Sequence, residues 1–318
     1  MPLRPNRFAA EDPRVRRFAA YLAAERGASL HTSEGYAADL GQLVASKWGE
    51  SAEPPFDWAS LSEQDARRFV ISFASEGAAA ATVRRKLASA RAFFRHLQRE
   101  GVVRDNPFSL LHGPRMEKRL PKTLSVADID RFLARPRADY EAGLIGEYSC
   151  ARDAALFEVL YSTGCRISEV VSIAWEIVDF SRGCMIVTGK GSKERLVPIS
   201  ESAIKELNYW FLDRREMRIK SGNEDYVFLN RWGSKLTRTM ILIMIKRQAV
   251  SAGITKTISP HTLRHSFATA LLKGGADLRV IQSLLGHEHI STTEIYTHLD
   301  DRMIREEVLN CHPRNIRH

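Results

Sequence analysis

The chain has 318 residues, of which 44% are hydrophobic and 27% charged, and it carries a net charge of +9. It is long enough for two domains with their own cores, and its composition is that of an ordinary soluble globular protein. The positive excess fits a polyanionic partner, although a generally solvated basic surface gives the same number. The four cysteines (Cys150, Cys165, Cys184 and Cys311) include no C-x-x-C pair. That argues against a structural zinc site and for free thiols in a reducing compartment. The basic stretch 1–7 is not followed by an apolar run long enough for a signal peptide. The most apolar stretch, 240–245, is far too short to span a bilayer. The expected location is the cytoplasm.

The first ~100 residues read as helices only, from the spacing of their apolar residues. Phe18, Tyr21 and Leu22 mark a helix near 12–26, and Tyr36, Leu40, Leu43 and Val44 a second near 33–48. Phe69, Val70 and Phe73 mark a third, after the cap pattern Ser62-x-x-Asp65. The fourth is the clearest, with Val83, Leu87, Ala90, Phe94 and Leu97 along one face. Around it, residues 79–119 hold ten basic and three acidic side chains, a net +7 in about an eighth of the chain. Such a run is either a solvated helix face or a helix lying against DNA. Arg84, Arg85, Lys86 and Arg91 are the candidate DNA-binding residues.

Asn106-Pro107 ends this region, and Pro114 and Pro121 bracket a basic connector. The expected division is a helical DNA-binding domain over 1–113, a linker over 114–123 and a second domain over 124–318. Ser125-x-x-Asp128 caps the first helix of the second domain. Strand-like runs at 183–188 and 195–199 flank a Gly-Lys-Gly turn, which predicts a hairpin. Helices are predicted near 201–221, 237–252, 262–273 and 277–285, with Gly253 and Gly286 at C-cap positions.

Four short segments of this half carry residues suited to phosphodiester chemistry. Arg166 follows Thr163-Gly164-Cys165 and should sit near the start of the helix running through Glu169. Arg264 lies three residues after His261, near one face of a helix start. The planar fork of arginine donates two hydrogen bonds at once to a phosphate. Two such forks can neutralise the extra charge of a five-coordinate phosphorus transition state. Lys190, at the hairpin tip, can protonate a leaving oxygen, with Lys193 as a rival three residues on. His287 follows Gly286 at a helix end, and a histidine pKa of ~6.5 suits proton handling at neutral pH. Tyr296 follows a capping box, Ser291-x-x-Glu294. Its phenol, with pKa ~10, needs neighbours before it can act as a nucleophile. Any one of these residues alone is more often a surface ion pair, an exposed turn lysine, a structural histidine or a half-buried tyrosine.

Their order and spacing carry more than the single residues do. The stretches 161–170, 189–198, 261–269 and 284–298 resemble the tyrosine recombinase, or phage integrase, family, and within it the bacterial Xer recombinases. More weakly, His31-Thr32 before Tyr36 and Asp39-Leu40, with the Arg-rich fourth helix, resemble that family's core-binding domain. The resemblance thus extends over nearly the whole chain. It implies a mainly α protein, with an N-terminal four-helix, SAM-like core-binding domain and a C-terminal α+β catalytic domain containing a small antiparallel sheet. It implies that Arg166 and Arg264 clamp the scissile phosphate and that Lys190 is the general acid. His261 and His287 complete the phosphate-binding and proton-transfer set, Glu169 supports that set, and Tyr296 is the nucleophile. No catalytic position departs from the pattern. Cys165 stands where leucine or methionine is more usual, and the His312-Pro313-Arg314 of the tail continues for four more residues.

The function so implied is site-specific recombination of double-stranded DNA through a 3′-phosphotyrosine link. It needs no ATP, cofactor, metal or small-molecule substrate, and four protomers assemble on two sites, with a paralogous recombinase as a further candidate partner. The short segment before the first predicted helix leaves no room for an additional arm-binding domain, which favours chromosome or plasmid dimer resolution over mobile-element integration. The rivals are a type IB topoisomerase-like enzyme and a catalytically idle DNA-binding protein of the same fold. Beyond the tyrosine, Ile304, Val308 and Leu309 form a short apolar stripe. It is expected to seek a neighbouring protomer, against the alternative of packing on its own domain.

Overall fold

A computed structural model of the chain describes residues 4–24, 30–115, 123–189, 194–286 and 301–315. The chain divides into two compact units, Met1–Arg119 and Leu120–His318. The first is helical, with α1 (Pro13–Ala24), α2 (Leu30–Trp48), α3 (Glu63–Ser75) and α4 (Ala80–Arg99). A single buried carboxylate starts it. Asp12 Oδ1 accepts the backbone N–H of Arg14 and Val15, capping α1, and also the indole N–H of Trp58. Its Oδ2 accepts the backbone N–H of Phe56, so the segment before α3 is tied to the start of α1. The capping box read at Ser62 and Asp65 is present at the head of α3.

The apolar stripe of α4 is the floor of this unit's core. Val83, Leu87, Ala90, Phe94 and Leu97 are each no more than 3% exposed. Phe93 beside them meets Trp58 edge-on, with centroids 4.7 Å apart. The basic residues of the same helix divide into two groups. Lys86 is buried, and its ammonium lies 2.9 Å from Asp39 Oδ1 and against Gln42. Arg91 donates to the backbone carbonyls of Phe108 and Leu111, holding down the chain that follows the helix. Expected to face DNA, both side chains are instead engaged within this unit, Lys86 by a buried carboxylate and Arg91 by two backbone carbonyls. Arg84 and Arg85 are exposed, as are Arg95 and Arg99, although Arg85 also pairs with Asp39 and Arg99 donates to the Tyr21 hydroxyl.

The second unit holds α5 (Val126–Glu141), α6 (Glu147–Thr163), α7 (Ile167–Val170), α8 (Glu201–Arg215), α9 (Arg238–Ser251), α10 (Pro260–Lys273), α11 (Leu278–Leu285) and α12 (Asp301–Cys311). Its sheet is antiparallel, in the order β1 (Val178–Asp179), β2 (Cys184–Thr188), β3 (Glu194–Pro198). The predicted hairpin is β2–β3, with Val187 opposite Arg195 and Cys184 opposite Pro198. α6 runs through the middle of the unit and is buried at every residue from Arg152 to Thr163. Helices α5, α8 and α10 surround it. The capping box at Ser125 and Asp128 starts α5. All four cysteines are free. Among the described residues, no helix is long and apolar enough to cross a membrane.

The tail packs on its own unit. Val308 is 3% exposed and joins the core of the second unit. His312 is fully buried between Tyr161 and Phe267. Arg314 pairs with the buried Glu158. α12 also passes close to Gly274, where an added Cβ would meet the Cys311 carbonyl at 2.3 Å. The expectation that Val308 seeks a neighbouring protomer gives way to this self-packing, because the groove it fills is built by elements distant in sequence.

Candidate active site

α6 ends at Gly164, which has a left-handed backbone (φ +58°). The turn is held by Thr163, whose hydroxyl donates to the Val159 carbonyl and accepts the N–H of Cys165. No other residue fits at Gly164, because an added Cβ would lie 2.4 Å from the Phe267 ring. Cys165 turns into the core, and burial pushes its thiol up to about 11. The chain then presents Arg166 as the first residue of the next turn. Its backbone N–H donates to Glu169 Oε2 at 2.7 Å and its guanidinium to Glu169 Oε1 at 3.0 Å.

Three arginines from three elements meet the C-terminal end of α11. Arg195 of β3 donates through Nε to the Leu284 carbonyl (2.8 Å). Arg264 of α10 donates to the Leu285 carbonyl and, at 2.7 Å, to that of Gly164. Arg166 donates to the Gly286 carbonyl at 2.9 Å. The last carbonyls of a helix have no partner within it and carry the negative end of its dipole, so they suit three cations. Gly286 has a left-handed backbone (φ +60°), which ends the helix there.

One carboxylate sits among them. Glu169, whose side chain is 5% exposed, takes both terminal nitrogens of Arg195 at 2.9 and 2.8 Å as well as its two bonds from Arg166. Burial alone would raise its pKa. The Arg195 fork and the Arg166 N–H outweigh that and hold it below the ordinary glutamate value. Burial, with the nearby Arg166 charge, pulls Arg264 down to about 10, so it stays protonated at neutral pH. Three guanidiniums against one carboxylate leave the cluster net positive. The Arg166 side chain is 38% exposed, so that charge is open to solvent on one side. The arrangement can bind an anion with planar, directed donors.

Arg166 and Arg264 are therefore brought together as the sequence predicted. His261 is exposed in the first turn of α10, one turn before Arg264. Lys190, Lys193, His287 and Tyr296, with the capping box at Ser291, lie outside the described residues. Arg195 is a member of the cluster to which the sequence motifs assign no role. A signal for it exists: Arg195 lies two residues before buried Val197, on the same face of β3, and stands opposite buried Val187, so a charge occupies an inward-facing strand position. Among the described residues, no cluster of histidine, cysteine, aspartate and glutamate could hold a metal ion.

Family models match both units. The phage integrase family matches residues 124–303, and the phage integrase N-terminal SAM-like domain matches residues 15–101. Tyrosine recombinase XerC of Alcanivorax borkumensis is 36% identical over 301 residues, covering 94% of each chain. Tyrosine recombinase XerD of Lacticaseibacillus casei is 39% identical, covering 93% of this chain and 97% of that one. Among solved structures, the Tn1549 transposon integrase in complex with circular intermediate DNA shares the fold, with a TM-score of 0.68, 23% identity and coverage of 92% of this chain and 98% of that one. The XerH site-specific recombinase bound to its difH substrate shares it at 0.63 and 24%, covering 92% and 83%. The chain belongs to the phage integrase family, as an Xer-like tyrosine recombinase that carries out site-specific recombination of DNA.

Proposed function

We propose that this chain cleaves each DNA strand by attack of Tyr296 on the scissile phosphorus. The bond to the phenol oxygen forms as the bond to the 5′ oxygen breaks, and Lys190 supplies the proton to that leaving oxygen. Arg166 and Arg264 hold the phosphate, and His261 and His287 complete its hydrogen bonding and proton transfer. The 3′-phosphotyrosine stores the bond energy, so rejoining by a 5′ hydroxyl from the partner duplex is the same step in reverse. Residues 1–113 serve as the core-binding domain, 114–123 as linker and 124–318 as catalytic domain. Arg84 and Arg85 contact DNA backbone. The working assembly is a tetramer on two recombination sites, formed by this chain alone or with a paralogous recombinase. Its task is the resolution of chromosome or plasmid dimers in the cytoplasm, in support of chromosome partition at cell division.

The observation that carries this reading is the arginine cluster, in which Arg166 from the turn before α7 and Arg264 from α10 converge beside a single carboxylate. A phosphodiester supplies the anion that the cluster lacks. The test is to incubate the protein with native DNA fragments, trap covalent adducts under denaturing conditions and sequence the protected sites. Adducts should form with the unsubstituted protein at discrete sites and be absent for Tyr296→Phe, which still binds DNA. Adducts persisting in that variant would exclude Tyr296 as nucleophile.

A further inference from the structure

Arg195 makes three bonds to two elements that lie far apart in the chain. Its terminal nitrogens grip both oxygens of Glu169, and its Nε donates to the Leu284 carbonyl at the end of α11. Its side chain is 13% exposed against 38% for Arg166, so it lies behind the open side of the cluster. Glu169 in turn holds both the main chain and the guanidinium of Arg166. Resting on the recombinase reading above, we infer that Arg195 is a positioning residue for strand cleavage, fixing the Arg166 fork and the end of α11 in one geometry.

The physical case is one of directions. A carboxylate held only by Arg166 can rotate, and the Arg166 fork rotates with it. Arg195 supplies the second pair of parallel bonds, which removes that freedom. Its third bond sets the distance from Glu169 to α11, after which the chain continues directly to His287. Its own place is set by pairing with Val187 in the hairpin whose connecting residues include Lys190. One side chain thus ties together the start of α7, strand β3 and the end of α11. Lysine cannot replace it, because a single ammonium on a flexible stem lacks the planar fork and the separate Nε donor.

The test compares the full chain with Arg195→Lys on saturating DNA. The rate of adduct formation should fall about 100-fold, the effect of a small misplacement of reacting groups, with DNA affinity and melting temperature little changed. The defect should shrink on DNA carrying a neutral methylphosphonate at the cleaved position, where the fork has less charge to neutralise. Unchanged cleavage, or a defect of equal size on both substrates, would overturn the inference. Should Arg195→Lys fail to fold, Arg195→Gln combined with Glu169→Gln removes both buried charges and takes its place with the same expectations. Failure of both to fold would make Arg195 a folding residue and likewise overturn the proposal. Absence of adduct from the unsubstituted protein would instead strike the Tyr296 chemistry, and the inference would fall with it.

Discussion

α4 of the first unit and the end of α11 in the second both gather arginines, in opposite ways. Along α4 they follow one another in sequence, and the helix sorts them: Lys86 and Arg91 turn inward, and Arg84, Arg85, Arg95 and Arg99 turn out. At α11 the three arginines are distant in sequence, and each is fastened to a backbone carbonyl. Charge density marks the first region, and direction marks the second. A run of cations therefore says little about which of them can meet DNA, whereas a few fixed guanidiniums say what shape of anion they accept.

Replacement of Arg264 by lysine should give the largest effect. It removes the fork that reaches both Gly164 and Leu285, and cleavage should fall by about 10² to 10³ in single-turnover assays. DNA binding should remain, because α4 is untouched. Equal loss of binding and cleavage would erase the distinction between the two regions.

Deletion from Val308 onward should follow in size. It exposes the cleft filled by Val308 and His312 and leaves Glu158 buried without Arg314. An uncompensated buried charge costs about 3–5 kcal/mol, so thermal melting of the isolated protein should drop clearly. An unchanged melting temperature would mean that the tail adds nothing in its own chain.

Lys86→Met sharpens the sorting along α4. Asp39 loses its buried partner, though Arg85 still reaches it, and stability should fall by about 3 kcal/mol in denaturant titrations. The salt dependence of DNA binding should not move. Neutralising Arg84, Arg85, Arg95 and Arg99 together should do the reverse. Stability should fall less than for Lys86→Met, because Lys86 still holds Asp39, and the log–log salt slope should fall by about 0.9 for each phosphate no longer neutralised. An unchanged slope would return this face to a solvated one.

A further effect is one of pH. Burial, with the Arg314 charge nearby, lowers the His312 pKa to about 3, against 6.5 when exposed. Between these values the unfolded chain binds the proton and the folded chain does not, so stability falls as pH drops through that window. The slope is at most about 1.4 kcal/mol per pH unit. His312→Phe should flatten the melting-temperature profile there, and an unaltered profile would count against a buried neutral imidazole.

What the sequence revealed was local. Apolar spacing placed α4, and Ser-x-x-Asp patterns placed the starts of α3 and α5. The order of the four motifs identified Arg166 and Arg264, which the fold brings together. α6 escaped notice because it is buried on all sides and has no polar face to set a period. β1, only two residues long, is too short to show an alternation. The inward turn of Lys86 was hidden because its partner Asp39 is 47 residues away. Arg195 was passed over and the place of the tail left open for the same reason: both take their meaning from contacts that bridge distant parts of the chain.

The carbonyls at the end of α11 have a thermodynamic consequence for encounters with DNA. An arginine side chain gives up as much as ~2 kcal/mol of rotational freedom when it is immobilised. In this protein that ordering of Arg166, Arg195 and Arg264 happens when the chain folds. On the proposed role of Arg166 and Arg264, an incoming phosphate would meet forks that already point in fixed directions, so little of its binding energy would go into ordering them and more would remain for the transition state.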